Sequence, residues 1–161
     1  MSNYVDHSLI NQYAVDGICE YVTVRVMDQL FGIPIRQVRE VFTPDSITDV
    51  PLSAPEIAGV LNLRGMIVTA IDMRVRLNLP PLPSGASCMA VGIDDGQESY
   101  CLLVDSVDEV MRLPVDSWEQ APVTLDDSWA EISAGVHRLD RSLLVVVQVK
   151  NVLNFSKSAA A

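Results

Sequence analysis

A mainly β fold, two small barrels side by side around a joint apolar core, is the architecture that this sequence predicts. Three observations predict it: side chains that alternate with a period of two along much of the chain, an internal repeat, and a proline-rich break near the middle. Length permits it, since 161 residues with 49% hydrophobic content suffice to bury one compact core.

Residues 1–17 show no sustained period and close on the turn dipeptide Asp16-Gly17, so a flexible leader is expected there. From Cys19, CEYVTVRV sets Tyr21, Thr23 and Arg25 against Val22, Val24 and Val26, the pattern of a half-buried strand. DQLFGIPI adds a turn and a second strand. VREVF adds a third alternation, in which Val38 and Glu40 are expected on one face and Arg39 and Val41 on the other. GVLNLRGMIVTAIDMRVRL, from Gly59 to Leu77, reads as strand, turn at Arg64, strand and short helix. Asp72 opens that helix, where a carboxylate suits free backbone N–H groups, and Arg74 is placed to reach a carboxylate. LPPLPSGAS, from Leu79 to Ser87, has the composition of a linker. DDGQES is a hairpin turn between CMAVGI and YCLLV, VKNVLNF is a second short helix, and the tail 156–161, SKSAAA, is small and polar enough to be flexible.

The repeat is gapless in its first block. FGIPIRQVREVF from Phe31 aligns with YCLLVDSVDEVM from Tyr100, so that Val38, Glu40 and Val41 fall on Val107, Glu109 and Val110. The second block sets Gly59 on Gly135 and ends both copies in Leu-Asn. A single domain over 18–155, built of two similar intertwined halves (about 18–79 and 86–155), is the expected organisation.

Charge and motifs remove several classes of function. With 11 Lys and Arg against 21 Asp and Glu the formal charge is −10, which repels nucleic acid and anionic lipid and favours protein partners or small ligands. No apolar run approaches the ~20 residues of a membrane span, and the start lacks a signal peptide's pattern, so the expected address is cytoplasmic, without membrane insertion. Cys19, Cys88 and Cys101 form no C-x-x-C, and only His7 and His137 carry imidazole, so neither a metal nor another cofactor is expected. Nucleotide-binding, hydrolase and zinc-protease motifs are absent, and Asp105, Asp108 and Glu109 read as a solvated turn and strand edge. No catalytic residue is assigned. Trp118 and Trp129, in the least periodic region, are expected to form a lid over the second barrel rather than an interface anchor.

An arginine at a strand-to-strand turn reads first as a solvated turn residue. Arg64 and Glu40 are nonetheless opposite charges on otherwise apolar segments, and a charge-assisted contact between them would fix one strand to the turn.

VREVF, GVLNLRGMIVTAIDMRVRL and LLVDSVDEV together resemble the CheW family of chemotaxis coupling proteins, over nearly everything from Cys19 to Phe155. The resemblance implies two five-stranded, SH3-like barrels and a non-catalytic adaptor joining the histidine kinase CheA, through its regulatory domain, to the cytoplasmic tips of chemoreceptors. Other domains of the same family are further partners, and recruitment to membrane-associated receptor arrays follows. By the same resemblance Val38, Glu40, Gly59, Asn62 and Arg64 are partner-binding residues. The segment Ala121 to Glu131 is more acidic and bulkier than the family pattern. A scaffold of another chemosensory pathway is the alternative, as is, from a different class, a small-molecule or anion binder using Arg64 and Asn62.

Overall fold

The computed structural model describes residues 8–96 and 98–154. Among these residues twelve strands run in chain order as β1 (Ala14–Val15), β2 (Ile18–Val26), β3 (Gln29–Pro34), β4 (Val38–Phe42), β5 (Ile57–Leu63), β6 (Met66–Asp72), β7 (Met89–Asp95), β8 (Glu98–Val104), β9 (Ser106–Pro114), β10 (Trp118–Glu119), β11 (Ser133–Arg138) and β12 (Leu143–Val147). Four short α-helices accompany them among the described residues: α1 (Ser8–Asn11), α2 (Met73–Arg76), α3 (Asp127–Ile132) and α4 (Val149–Val152).

The strands form two sheets, and each sheet takes strands from both parts of the chain. One has the order β4-β7-β8-β6-β5. The other has the core order β9-β2-β3-β12-β11, with the two-residue strands β1 and β10 at its margins. Shifting residue numbers by the offsets of the sequence repeat converts one order into the other. The registers follow: Thr69 opposite Tyr100 in the parallel pair β6·β8 corresponds to Val145 opposite Phe31 in the parallel pair β12·β3. Val38 opposite Ile93 corresponds likewise to Val107 opposite Val24.

Each sheet curls until its margins meet. In the five-stranded barrel, Thr48 and Val60 exchange backbone hydrogen bonds of 2.8 and 2.9 Å. In the larger barrel the same role falls to β10 against β11, with Glu119 opposite Val136.

Because most strands are buried on both faces, three apolar clusters form. The largest lies between the sheets: Val22, Val24, Val26, Phe31 and Ile33 meet Ile71, Val91, Ile93, Leu102 and Val104, with Val145 and Val147 alongside. Alternate residues of the same strands make each barrel's own core, Tyr21, Leu144 and Val146 in the larger barrel and Val68, Ala70, Ala90 and Cys101 in the five-stranded one.

Three expectations are corrected here. Of the leader expected over 1–17, residues 8–15 belong to the fold: Ile10 is fully buried in the larger barrel's core, and β1 pairs with β2 where Pro34 ends the pairing of β3. Residues 1–7 and the tail 156–161 lie outside the described residues. Trp118 is a core side chain and not a lid: 4% exposed, it donates its Nε1–H to the Ala134 carbonyl at 2.7 Å. Trp129, partly buried on the shared core, meets Phe31 edge to face at 5.8 Å. Finally, Val38 and Glu40 do not share a face. Arg39 is the extra residue of a β-bulge, since Val38 lies opposite Ile93 while Glu40 lies opposite the next residue, Gly92. The inserted residue turns Val38 toward the shared core and leaves Glu40 on the other face with Phe42.

Candidate functional site

The turn between β5 and β6 has two central residues, Arg64 and Gly65, with φ of 54° and 84°. Both are left-handed, the geometry of a two-residue hairpin whose twist matches that of its strands. Glycine adopts it freely. Arginine does so at some cost, so the turn needs local support. Asn62 supplies it, accepting the Gly65 N–H on its side-chain oxygen at 2.8 Å.

So held, the Arg64 side chain is 79% exposed and its Nη2 stands 3.2 Å from Glu40 Oε2 on β4. Glu40 lies opposite Gly92 across the β4·β7 pair. The ion pair links the β5–β6 hairpin to β4 and separates two hollows. One is a small cleft of about 70 Å³ with Leu63, Met66, Val68 and Tyr100 in its walls and Arg39 at its rim. The other is a groove of about 400 Å³ between β4 with its exit, Phe42 to Ser46, and the end of β5, Leu61 to Leu63. Met66 and Ile67, 48% and 67% exposed, extend an apolar surface beside the turn.

Of the five residues singled out from the sequence, the fold brings Glu40, Asn62 and Arg64 together. Gly59 is elsewhere: it is buried at φ 147°, and a Cβ there would lie 2.3 Å from the Thr48 carbonyl oxygen. Its position serves closure of the barrel. Val38 is half-buried on the opposite face of its strand. The residues that sequence reasoning did not find are Phe42, Thr43, Asp45 and Ser46. Phe42 ends β4, and the other three enter the groove from the irregular segment after it, where no periodicity marks which side chains converge.

Other polar groups have structural work. Asp72 accepts the backbone N–H groups of Arg74 and Val75, capping α2. Arg74 forms a two-pronged pair with Asp105 at 2.9 and 2.6 Å, which holds that carboxyl below the usual carboxylate range. Asp105 also accepts the Met27 N–H, so it joins α2 to the β2–β3 turn of the other sheet. His137 is fully buried between Tyr21 and Ser117. Ser117 donates its proton to the Pro114 carbonyl, so His137 Nδ1–H donates to Ser117 and Nε2 accepts from Tyr21. A serine engaged in that sense is not an activated nucleophile.

Fold and site together define a two-barrel β scaffold whose organised polar feature is a surface ion pair over a groove. Among the described residues no cluster of His, Cys, Asp and Glu suits a metal, and no helix is long and apolar enough to cross a membrane. A family model described as CheW-like domain matches residues 20–157. A probable chemotaxis protein CheW of Rhizobium etli is 26% identical over 145 residues, covering 90% of this chain and 94% of that protein. The chemotaxis protein CheW of Bacillus subtilis is 27% identical over 131 residues, 81% of this chain and 84% of the relative. The scaffolding protein TtCheW from Thermoanaerobacter tengcongensis matches in structure with a TM-score of 0.71 at 26% identity, over 80% of this chain and 88% of that one. The chain belongs to the CheW-like domain family, whose CheW proteins are non-catalytic scaffolds.

Proposed function

We propose that this protein is an adaptor of chemotaxis signalling that couples the cytoplasmic tips of chemoreceptors to the histidine kinase CheA, working in the cytoplasm at receptor arrays. Family membership supports the adaptor role. The observation that carries the binding surface is the Glu40–Arg64 pair at 3.2 Å on an Asn62-supported turn, a preformed charged feature beside exposed Met66 and Ile67. A preorganised surface loses less conformational entropy on binding, which is where a scaffold without catalysis gains affinity. Gly59 and Val38 support the surface from behind, one by closing the barrel and the other by anchoring β4 to the shared core.

Titration calorimetry with the kinase regulatory domain and with a receptor tip tests this reading. Wild-type protein is expected to bind both, and Arg64→Ala and Glu40→Lys to lose the receptor more than the kinase. Binding to neither cognate partner would remove the function and leave the fold standing.

A further inference from the structure

The groove beneath the ion pair has a counterpart in the other barrel, and there the chain itself fills it. Under the repeat, Phe42 corresponds to Met111 and Leu63 to Leu139. Met111 and Leu139 pack on the larger barrel's own core, the cluster that also receives Ile10, Tyr13 and Ala14. The helical turn α1 lies against β11, the counterpart of β5, and Ile10 is fully buried. In the five-stranded barrel no segment plays this part among the described residues. Phe42 and Leu63 pack on the core with only their own barrel's residues for company, and line a groove of about 400 Å³. Among the described residues β4 and β5, the margins of this sheet, do not pair with each other, and the Thr48–Val60 bridge joins β5 to the segment after β4, so the outer edge of β4 has no strand partner.

We infer that this groove seats a short segment of a partner protein: about one turn or a few extended residues, with one large aliphatic side chain in the place that Ile10 takes in the other barrel, and a basic side chain beside it. The aliphatic anchor follows from Leu61, Leu63 and Phe42 in the walls. The basic neighbour follows from charge. Glu40 and Asp45 face the groove against one cation, Arg64, which is already engaged by Glu40, and the chain as a whole carries −10. This deepens, and rests on, the reading of Glu40, Asn62 and Arg64 as partner-binding residues, by stating what kind of segment they receive.

The probe is the capped peptide KSLIKQ, patterned after the chain's own Ser8 to Gln12 stretch, titrated into methyl- and amide-labelled full-length protein and followed by NMR. Saturable shifts are expected at the Leu61 and Leu63 methyls and the Phe42, Thr43 and Ser46 amides. Replacing the peptide's isoleucine by alanine should weaken binding about tenfold or more, as should Thr43→Trp, which places an indole in the groove from an exposed position. Shifts centred on β1 and the Ile10 methyl, equal binding of the alanine peptide, or no saturation at millimolar peptide would each overturn the inference. Calorimetry with the kinase domain and receptor tip on the same samples separates the two readings. If those partners bind wild type and Thr43→Trp equally, the groove is not their seat and the inference fails while the adaptor function stands. If they bind neither protein, the adaptor function itself fails.

Discussion

Arg64 combines an unfavourable backbone with an exposed ion pair, and the two separate by substitution. Arg64→Gly relieves the left-handed φ of 54°, so thermal stability should stay within about 1 kcal/mol of wild type or rise. Partner binding should still fall, as is expected of Arg64→Ala, because the guanidinium is gone. Denaturant melts beside calorimetry check this, and a glycine variant that binds normally would make the arginine a turn residue only. His137 behaves in the opposite way, as a buried group whose charge the fold opposes. Desolvation pushes its pKa down to about 4 from an ordinary value of 6.5. Between those values the unfolded chain binds more protons than the native one, so stability is full above about pH 6.5 and is lost as pH falls toward 4. Protonation would also leave Nε2–H facing the Tyr21 hydroxyl, which now donates to it. Urea melts from pH 7 to 4 should show this fall, with a shallower slope for His137→Gln. The pairing of Glu40 with Arg64 was legible as two opposite charges on apolar segments. The burial of His137 was not, because an alternating strand does not announce which of its faces closes a barrel.

At the scale of elements, glycine and one inserted residue decide the geometry. Gly59 and Gly135 occupy equivalent places before the closing contacts, with φ of 147° and 100°. A Cβ would strike the Thr48 carbonyl oxygen at 2.3 Å in one barrel and the Trp118 indole nitrogen at 2.1 Å in the other. Gly59→Ala and Gly135→Ala should each cost about 2 to 4 kcal/mol, visible in chemical denaturation. Hydrogen exchange should then speed up at Val60 for the first and at Val136 for the second, the residues on either side of each closure. The bulge at Arg39 shows where element-level reading ends. Strict alternation puts Val38 with Glu40, and a single extra residue reverses that assignment. Nothing in VREVF marks it, since a bulge is decided by which strand lies opposite and in what register.

For the whole molecule, the consequence of exchange is cooperativity. β2 and β3 pair with β9 to β12, whereas β4 to β6 pair with β7 and β8, so neither stretch of sequence can close a barrel alone. The cluster between the sheets draws Phe31 and Val145 from one and Ile93 and Leu102 from the other. Leu102→Ala should therefore cost about 2 to 5 kcal/mol and lower one transition common to both barrels. Calorimetric and van't Hoff enthalpies that disagree, or probes on the two barrels that melt separately, would show that the shared core does not couple them. Arg76 adds to the coupling, since its guanidinium, 7% exposed, donates to the Val152 and Asn151 carbonyls at the end of α4.

The sequence by itself determined the strands, the short helices that end each repeat, the repeat and the apolar surplus that demands a core, because period-two alternation and turn chemistry are local properties of neighbouring residues. It also carried the pair of charges and the turn that holds one of them. Only the tertiary structure decided which strands exchange between barrels, that the bulge turns Val38 away from Glu40, that Gly59 serves closure, and that Ile10 is buried in one barrel while no segment among the described residues fills the counterpart groove of the other. Those outcomes depend on pairing and register between residues far apart in the chain, and no local pattern of side chains encodes them.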